Sequence, residues 1–124
     1  MLDDSKLIGF VATTDYARAR AFYEGNLGLR FVSQDPFALV LNSSGNMIRI
    51  PQVKEFKPQP FTVLGWEVAD IEKKVSALQE KGISFEKYGF PGQDARGIWS
   101  APGGAKVAWF KDPDGNLLSI SQHN

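Results

Sequence analysis

The side chains able to make or break bonds are few in this 124-residue chain. It contains no cysteine, which excludes thiolate nucleophiles, thiolate metal sites and disulfides. Its single histidine, His123, stands next to the end of the given sequence, where backbone is usually least ordered. A Ser-His-Asp arrangement around it is not expected. No two carboxylates converge by spacing, as acid–base catalysis would require. Glu24 belongs to a helical stretch, and Glu67 alternates with Trp66, so it is expected to point away from the face Trp66 occupies. What remains is aromatic and guanidinium chemistry. Period-two alternation places Ile8 with Phe10 on one face, and Leu64 with Trp66 on a corresponding face. Strand-like runs nearby add Phe37, Met47, Trp99 and Trp109. Such a set suits an apolar small-molecule pocket, although rings on strands serve equally as packing. Arg96 lies in the glycine-rich run GQDARGIW, with Tyr88, Gln93 and Asp94 close by. That loop is expected to be mobile and able to close over a pocket.

Charge narrows the partners. Lys+Arg and Asp+Glu balance at 14 each, so no basic field favours nucleic acid. Arg18 and Arg20, and the run Glu72 to Lys74, read as solvated helix faces. The opening MLDDSKLIGF lacks the basic and long apolar regions of a secretion signal. No stretch approaches the ~20 apolar residues of a membrane helix. A cytoplasmic protein without nucleic-acid or membrane partners is expected.

The elements that must position these residues come in two copies. The first half reads LIGFVATTD, then YARARAFYEGNLGLRF, then FALVL and NMIRI; the second reads FTVLGWEVAD, then IEKKVSALQEKGISF, then GIWSA, AKVAWF and NLLSI. Each half is a strand, a helix and three strands. Asp15 and Asp70 follow apolar strands where a helix N-cap is needed. Gly28 and Gly82 stand where the chain leaves a helix, and Gly45-Asn46 and Asp114-Gly115 signal hairpins. Ile71, Val75 and Leu78, like Ala19, Phe22 and Tyr23, recur at helical spacing as buried faces. The expectation is one α+β domain over 1–124. Its βαβββ modules occupy about 6–50 and 61–120, joined by a proline-studded linker at about 51–60. Side by side they would form an incomplete barrel around a cleft, with the helices outside.

The ending AWFKDPDGNLLSI, with FYEGNLGLRF after a strand and an aspartate, resembles the vicinal oxygen chelate superfamily. That group includes glyoxalase I, extradiol dioxygenases and bleomycin resistance proteins. The resemblance runs from about Leu7 to Ile120. It implies metal-ligand slots on the first and last strand of each module, usually His and Glu. Carried onto this chain, the slots fall on Ile8, Arg49, Leu64 and Ser119. None is a good ligand, so neither a metal nor another cofactor is expected, and glyoxalase I or extradiol dioxygenase activity is disfavoured. Arg49, where relatives point a carboxylate into the cleft, is suited to fork onto a carboxylate or phosphate. The leading expectation is a metal-free protein, dimeric as relatives are, that binds an apolar or partly anionic small molecule. The expected binding residues are Arg49, Phe10, Phe37, Trp66, Arg96, Trp99, Trp109 and Ser119. The alternatives are a lyase, isomerase or dioxygenase-like enzyme with an atypical metal site, and an interaction module whose cleft is plugged by Trp66 against Trp99.

Overall fold

The computed structural model describes residues 1–124. The chain divides into two compact units, 1–57 and 58–124, with the boundary inside the proline-studded stretch.

In the first unit a 3-10 turn, Leu2–Asp4, precedes strand β1 (Ile8–Phe10), helix α1 (Tyr16–Arg20), and strands β2 (Arg30–Gln34), β3 (Leu39–Ser43) and β4 (Asn46–Ile50). The carboxylate of Asp15 accepts the Arg18 N–H at 3.2 Å, the N-cap bond anticipated from sequence. After Arg20 the helix widens into a π-helical stretch, Ala21–Asn26, and leaves through Gly28 at φ 77°. The sheet runs β1-β4-β3-β2, with β1 and β4 parallel and the other pairs antiparallel. Leu39, Leu41, Ile48 and Ile50 are buried along one face of β3 and β4, and Ala19, Phe22 and Tyr23 are buried on the helical segment. The β3–β4 turn places Ser44 at φ 51° and Gly45 at φ 86°. Two consecutive positive φ values make it a type I′ hairpin, centred one residue earlier than Gly45-Asn46.

The second unit repeats this order as β5 (Thr62–Glu67), helix α2 (Ile71–Glu80), β6 (Trp99–Ser100), β7 (Lys106–Lys111) and β8 (Leu117–Gln122). Asp70 caps α2 through the Lys73 N–H at 3.1 Å. Its sheet runs β5-β8-β7-β6, again with a parallel pair, β5–β8, beside antiparallel neighbours. Two sheets of identical strand order and sense are the structural form of the repeat read in the sequence. Ile71 and Val75 of α2 are buried, as are Ala108, Phe110, Leu118 and Ile120 of β7 and β8. Each sheet is an open ribbon of four strands, and in the second the outer edge of β6 is met by Gln93 in a single antiparallel bridge to Trp99. No helix is long and apolar enough to cross a membrane.

The β7–β8 connection, Asp112 to Asn116, is held by a buried carboxylate. Asp112 Oδ1 accepts the N–H groups of Asp114 and Asn116, each at 2.9 Å, and Oδ2 accepts the Asn116 side-chain amide at 2.8 Å. Asp112 and Asn116 are both buried, so removing the carboxylate strands donors away from water. Asp112→Ala is expected to cost about 2–3 kcal/mol in urea unfolding. A loss under about 0.5 kcal/mol, the level of an ordinary surface change, would show that the turn holds without it.

Candidate functional site

The two faces of the second sheet are chemically different. Cα pairing puts Ala108 beside Ile120 and Phe110 beside Leu118, and all four are buried. Trp66 pairs with Ile120 and its ring stacks on Phe110 at 6.4 Å, so it belongs to this packed face. The opposite face carries Gly65 beside Ser119 and Trp109, and Glu67 beside Ser121 and Val107. This corrects two expectations: Trp66, half-buried, lies on the packed face, and Glu67 lies on the open side. The counterpart of Phe10, which pairs with Arg49 in the first sheet, is Gly65, which pairs with Ser119. Equating Ile8 with Leu64 was therefore one residue out of register, and a one-residue slip exchanges the faces. The irregularity between Thr62 and Leu64 lies at that point.

Against the open face stands a wall of four rings from β6, β7 and the loop before β6. Trp99 and Trp109 lie 6.1 Å apart with planes tilted by 35°. Phe90 meets Trp99 and Trp109 edge-on at 6.4 and 6.1 Å, and Tyr88 meets Trp109 at 5.7 Å while stacking on Phe90 at 5.1 Å. These separations fall in the favourable range for ring pairs. Tyr88 is 42% and Phe90 44% exposed, so the wall keeps ring surface open to a ligand. The Trp99 indole N–H is satisfied by the Pro91 carbonyl at 3.1 Å. Gly65 adds a notch: a Cβ there would stand 2.6 Å from Ser119 Oγ. Of the four rings, sequence reasoning missed Phe90; its i, i+2 spacing from Tyr88 was the available signal.

The loop carrying Tyr88 and Phe90 is tied down, contrary to the expected mobile lid. Gln93 Oε1 accepts the N–H groups of Tyr88 and Gly89 at 2.7 and 3.1 Å, while Nε2 donates to the carbonyls of Glu86 and Gly97. Asp94 Oδ1 accepts the N–H groups of Arg96 and Ile98 at 2.9 and 3.0 Å. Arg96 turns to α2, donating to the Glu72 carbonyl and Ser76 Oγ, each at 2.7 Å. Its guanidinium is held on the helix side, so Arg96 leaves the set of binding candidates. The plug predicted from Trp66 against Trp99 is also not formed: Trp99 pairs through Val107 with the open face, opposite Trp66.

In the first unit, Phe10 pairs with Arg49 across β1–β4, and Ile8 pairs with Met47. Phe10 is 62% exposed, and the half-buried Arg49 has Val40 as its neighbour on β3. The Arg49 guanidinium reaches Met47 Sδ at 3.9 Å and makes no ion pair. Asp35 feels it at longer range: the Phe37 and Ala38 N–H groups hold that carboxyl below its usual value, and Arg49 adds a smaller pull in the same direction. Phe37, expected on a strand, instead sits in the β2–β3 turn, 79% exposed. Its N–H is bonded to Asp35 Oδ1 at 2.7 Å, which fixes the turn.

The slots inherited from the resemblance do not fit a metal. Ile8 and Leu64 have no donor atom, Arg49 is a cation, and Ser119 brings one hydroxyl. Leu64 pairs with Leu118 of the packed face, and Gly65 beside Ser119 adds no donor. No three His, Cys, Asp or Glu side chains gather anywhere in the chain as a metal would need.

Comparison with known proteins places this geometry. The family model described as the Glyoxalase/Bleomycin resistance protein/Dioxygenase superfamily matches residues 8–120. An antibiotic binding protein from Streptomyces superposes with a TM-score of 0.74 at 20% identity, covering 100% of this chain and 99% of its own. A lactoylglutathione lyase from Agrobacterium tumefaciens gives 0.73 at 15% identity, covering 96% and 93%. A glyoxalase/bleomycin resistance protein/dioxygenase from Alicyclobacillus acidocaldarius gives 0.72 at 18% identity, covering 97% and 92%. At these identities the likeness is one of fold. An S-layer-related protein of Niallia circulans is 30% identical over 74 residues, which make up 60% of this chain and 5% of that protein.

Burial raises the Tyr88 phenol above its usual value of 10.0, and the nearby Glu86 carboxylate adds to the shift. The folded chain therefore keeps the phenolic proton at a pH where the unfolded chain has lost it. The stability this contributes is complete below about pH 10 and disappears as pH rises through the folded value. Glu86→Gln is expected to move the Tyr88 titration, followed by phenolate absorbance, downward but not below its usual value. An unchanged titration would remove Glu86 as a cause.

Proposed function

The chain belongs to the Glyoxalase/Bleomycin resistance protein/Dioxygenase superfamily, and on that premise we propose that it is a metal-free binding protein for small organic molecules. The wall of Tyr88, Phe90, Trp99 and Trp109 carries this reading. Two indoles and two further rings, held by a hydrogen-bonded loop, make a rigid platform with ring surface left open. Such a platform binds a planar molecule with little ordering cost. The Ser119 hydroxyl, in the notch left by Gly65, has no internal partner and offers one polar contact. Metal-assisted chemistry is not proposed, because the slot residues supply no adequate donor set. The superposition on an antibiotic binding protein is consistent with capture without turnover.

The first unit supplies an anion-selective element of its own. Arg49 has no ion-pair partner and stands between the apolar neighbours Phe10 and Val40, an arrangement that suits an aromatic carboxylate. A homodimer is part of the proposal, supported by the exposed apolar side chains Leu7, Phe10 and Phe37. Native mass spectrometry of the purified chain is expected to show a dimer.

Two variants test the binding surfaces. Trp109→Leu is expected to weaken binding of a neutral planar probe, quinoline, about 2- to 12-fold in calorimetry; unchanged affinity would rule out the wall. Arg49→Ala is expected to weaken 1-naphthoate by about tenfold, with quinoline unaffected. An equal loss for both probes would show that Arg49 acts through the fold.

A further inference from the structure

Charge around the aromatic wall bears on the kind of ligand it takes. Aromatic ring faces carry negative electrostatic potential, strongest for indole, and attract organic cations. Two of the four rings here are indoles. The same sheet face carries Glu67, placed there by its pairing with Ser121, exposed and without an ion pair. None of the unit's cations forms an ion pair with it. Arg96 is held by α2, and Lys111 lies 3.6 Å from Glu86. Lys106 pairs with Gln122 on the packed side. Lys73 and Lys74 border a shallow hollow with Glu67 beside α2 but form no ion pair with it. Lys81 and Lys87 are exposed to solvent.

We propose that the wall of Tyr88, Phe90, Trp99 and Trp109 takes an organic cation, a quaternised or protonated heteroaromatic ring, with Glu67 as its counter-charge. This rests on the reading that the wall binds small molecules, and it adds the charge of the preferred ligand. A neutral ring gains burial and ring contact alone. A delocalised cation of the same shape gains attraction to the ring faces and to the carboxylate as well.

The test compares N-methylquinolinium with quinoline at neutral pH by calorimetry, with the Trp109 indole N–H resonance reporting where each probe sits. The cation is expected to bind about 3- to 30-fold tighter and to shift that resonance. Glu67→Gln should narrow the difference while leaving quinoline affinity unchanged, and Tyr88→Leu should weaken both probes. Equal affinities, or tighter binding of quinoline, would overturn the cation preference and leave the aromatic-binding reading standing. A preference unaltered by Glu67→Gln would overturn the counter-charge. Failure of both probes to bind would sink the wall as a binding site altogether, and binding without a shift of the indole resonance would place the cation elsewhere and reject the proposal.

Discussion

The register of the parallel pair β5–β8 decides which side chains β5 presents on each face of the second sheet. With Gly65 beside Ser119 and Trp66 beside Ile120, the strand sends Trp66 into the layer shared with Phe110 and leaves Glu67 outside. A slip of one residue would put a carboxylate into the layer beneath α2 and an indole into solvent. Burying an unpaired charge costs several kcal/mol, so the observed register excludes its neighbour strongly. The antiparallel register of β7 against β8 places Ser119 and Trp109 side by side, which sets the floor of the candidate site.

Packing on one face is what leaves the other free to vary. Helix α2, with Ile71 and Val75 buried, packs on β7 and β8, and these two with Ala108, Phe110, Leu118, Ile120, Ile83, Phe85 and Ile98 supply the unit's apolar burial. The open face is relieved of that role and carries a mixture a core would not tolerate: a glycine, serines, a carboxylate and partly exposed indoles. Its rings are oriented by backbone elsewhere. Gln93 ties four backbone groups of the 86–97 segment, and the Trp99 indole is bonded to Pro91, so the loop is fastened to β6. Gly97 is needed there, since its φ is 93° and a Cβ would come within 3.1 Å of the Glu86 carbonyl.

The two units share topology and differ in chemistry. Where the first presents Arg49 beside Phe10, the second presents Ser119 beside Gly65, so duplicated backbone positions carry a cation with a ring in one and a hydroxyl with a notch in the other. The duplicated positions therefore offer different contacts within one fold. Function in such folds resides in the site rather than in the architecture.

Much of the fold was legible in the residues themselves. Asp15 and Asp70 cap helices because a carboxylate after a strand is the cheapest partner for free helix N–H groups. Gly28, Gly45 and Gly115 mark turns because each adopts a positive φ that other residues resist. The DPDGN ending, the repeated order of elements and the residue types at Ile8, Arg49, Leu64 and Ser119 are likewise properties of local sequence. The tertiary structure decided which way side chains face and what long-range partners they find. Trp66 and Glu67 exchanged roles because alternation has period two and the register is set by a strand some fifty residues away, beyond the reach of local pattern. Arg96 left the candidate site because its partners, Glu72 and Ser76, lie on a separate helix. The aromatic wall formed because the segment holding Tyr88 and Phe90 folds back onto β6 and β7, a long-range closure that no spacing between adjacent residues encodes.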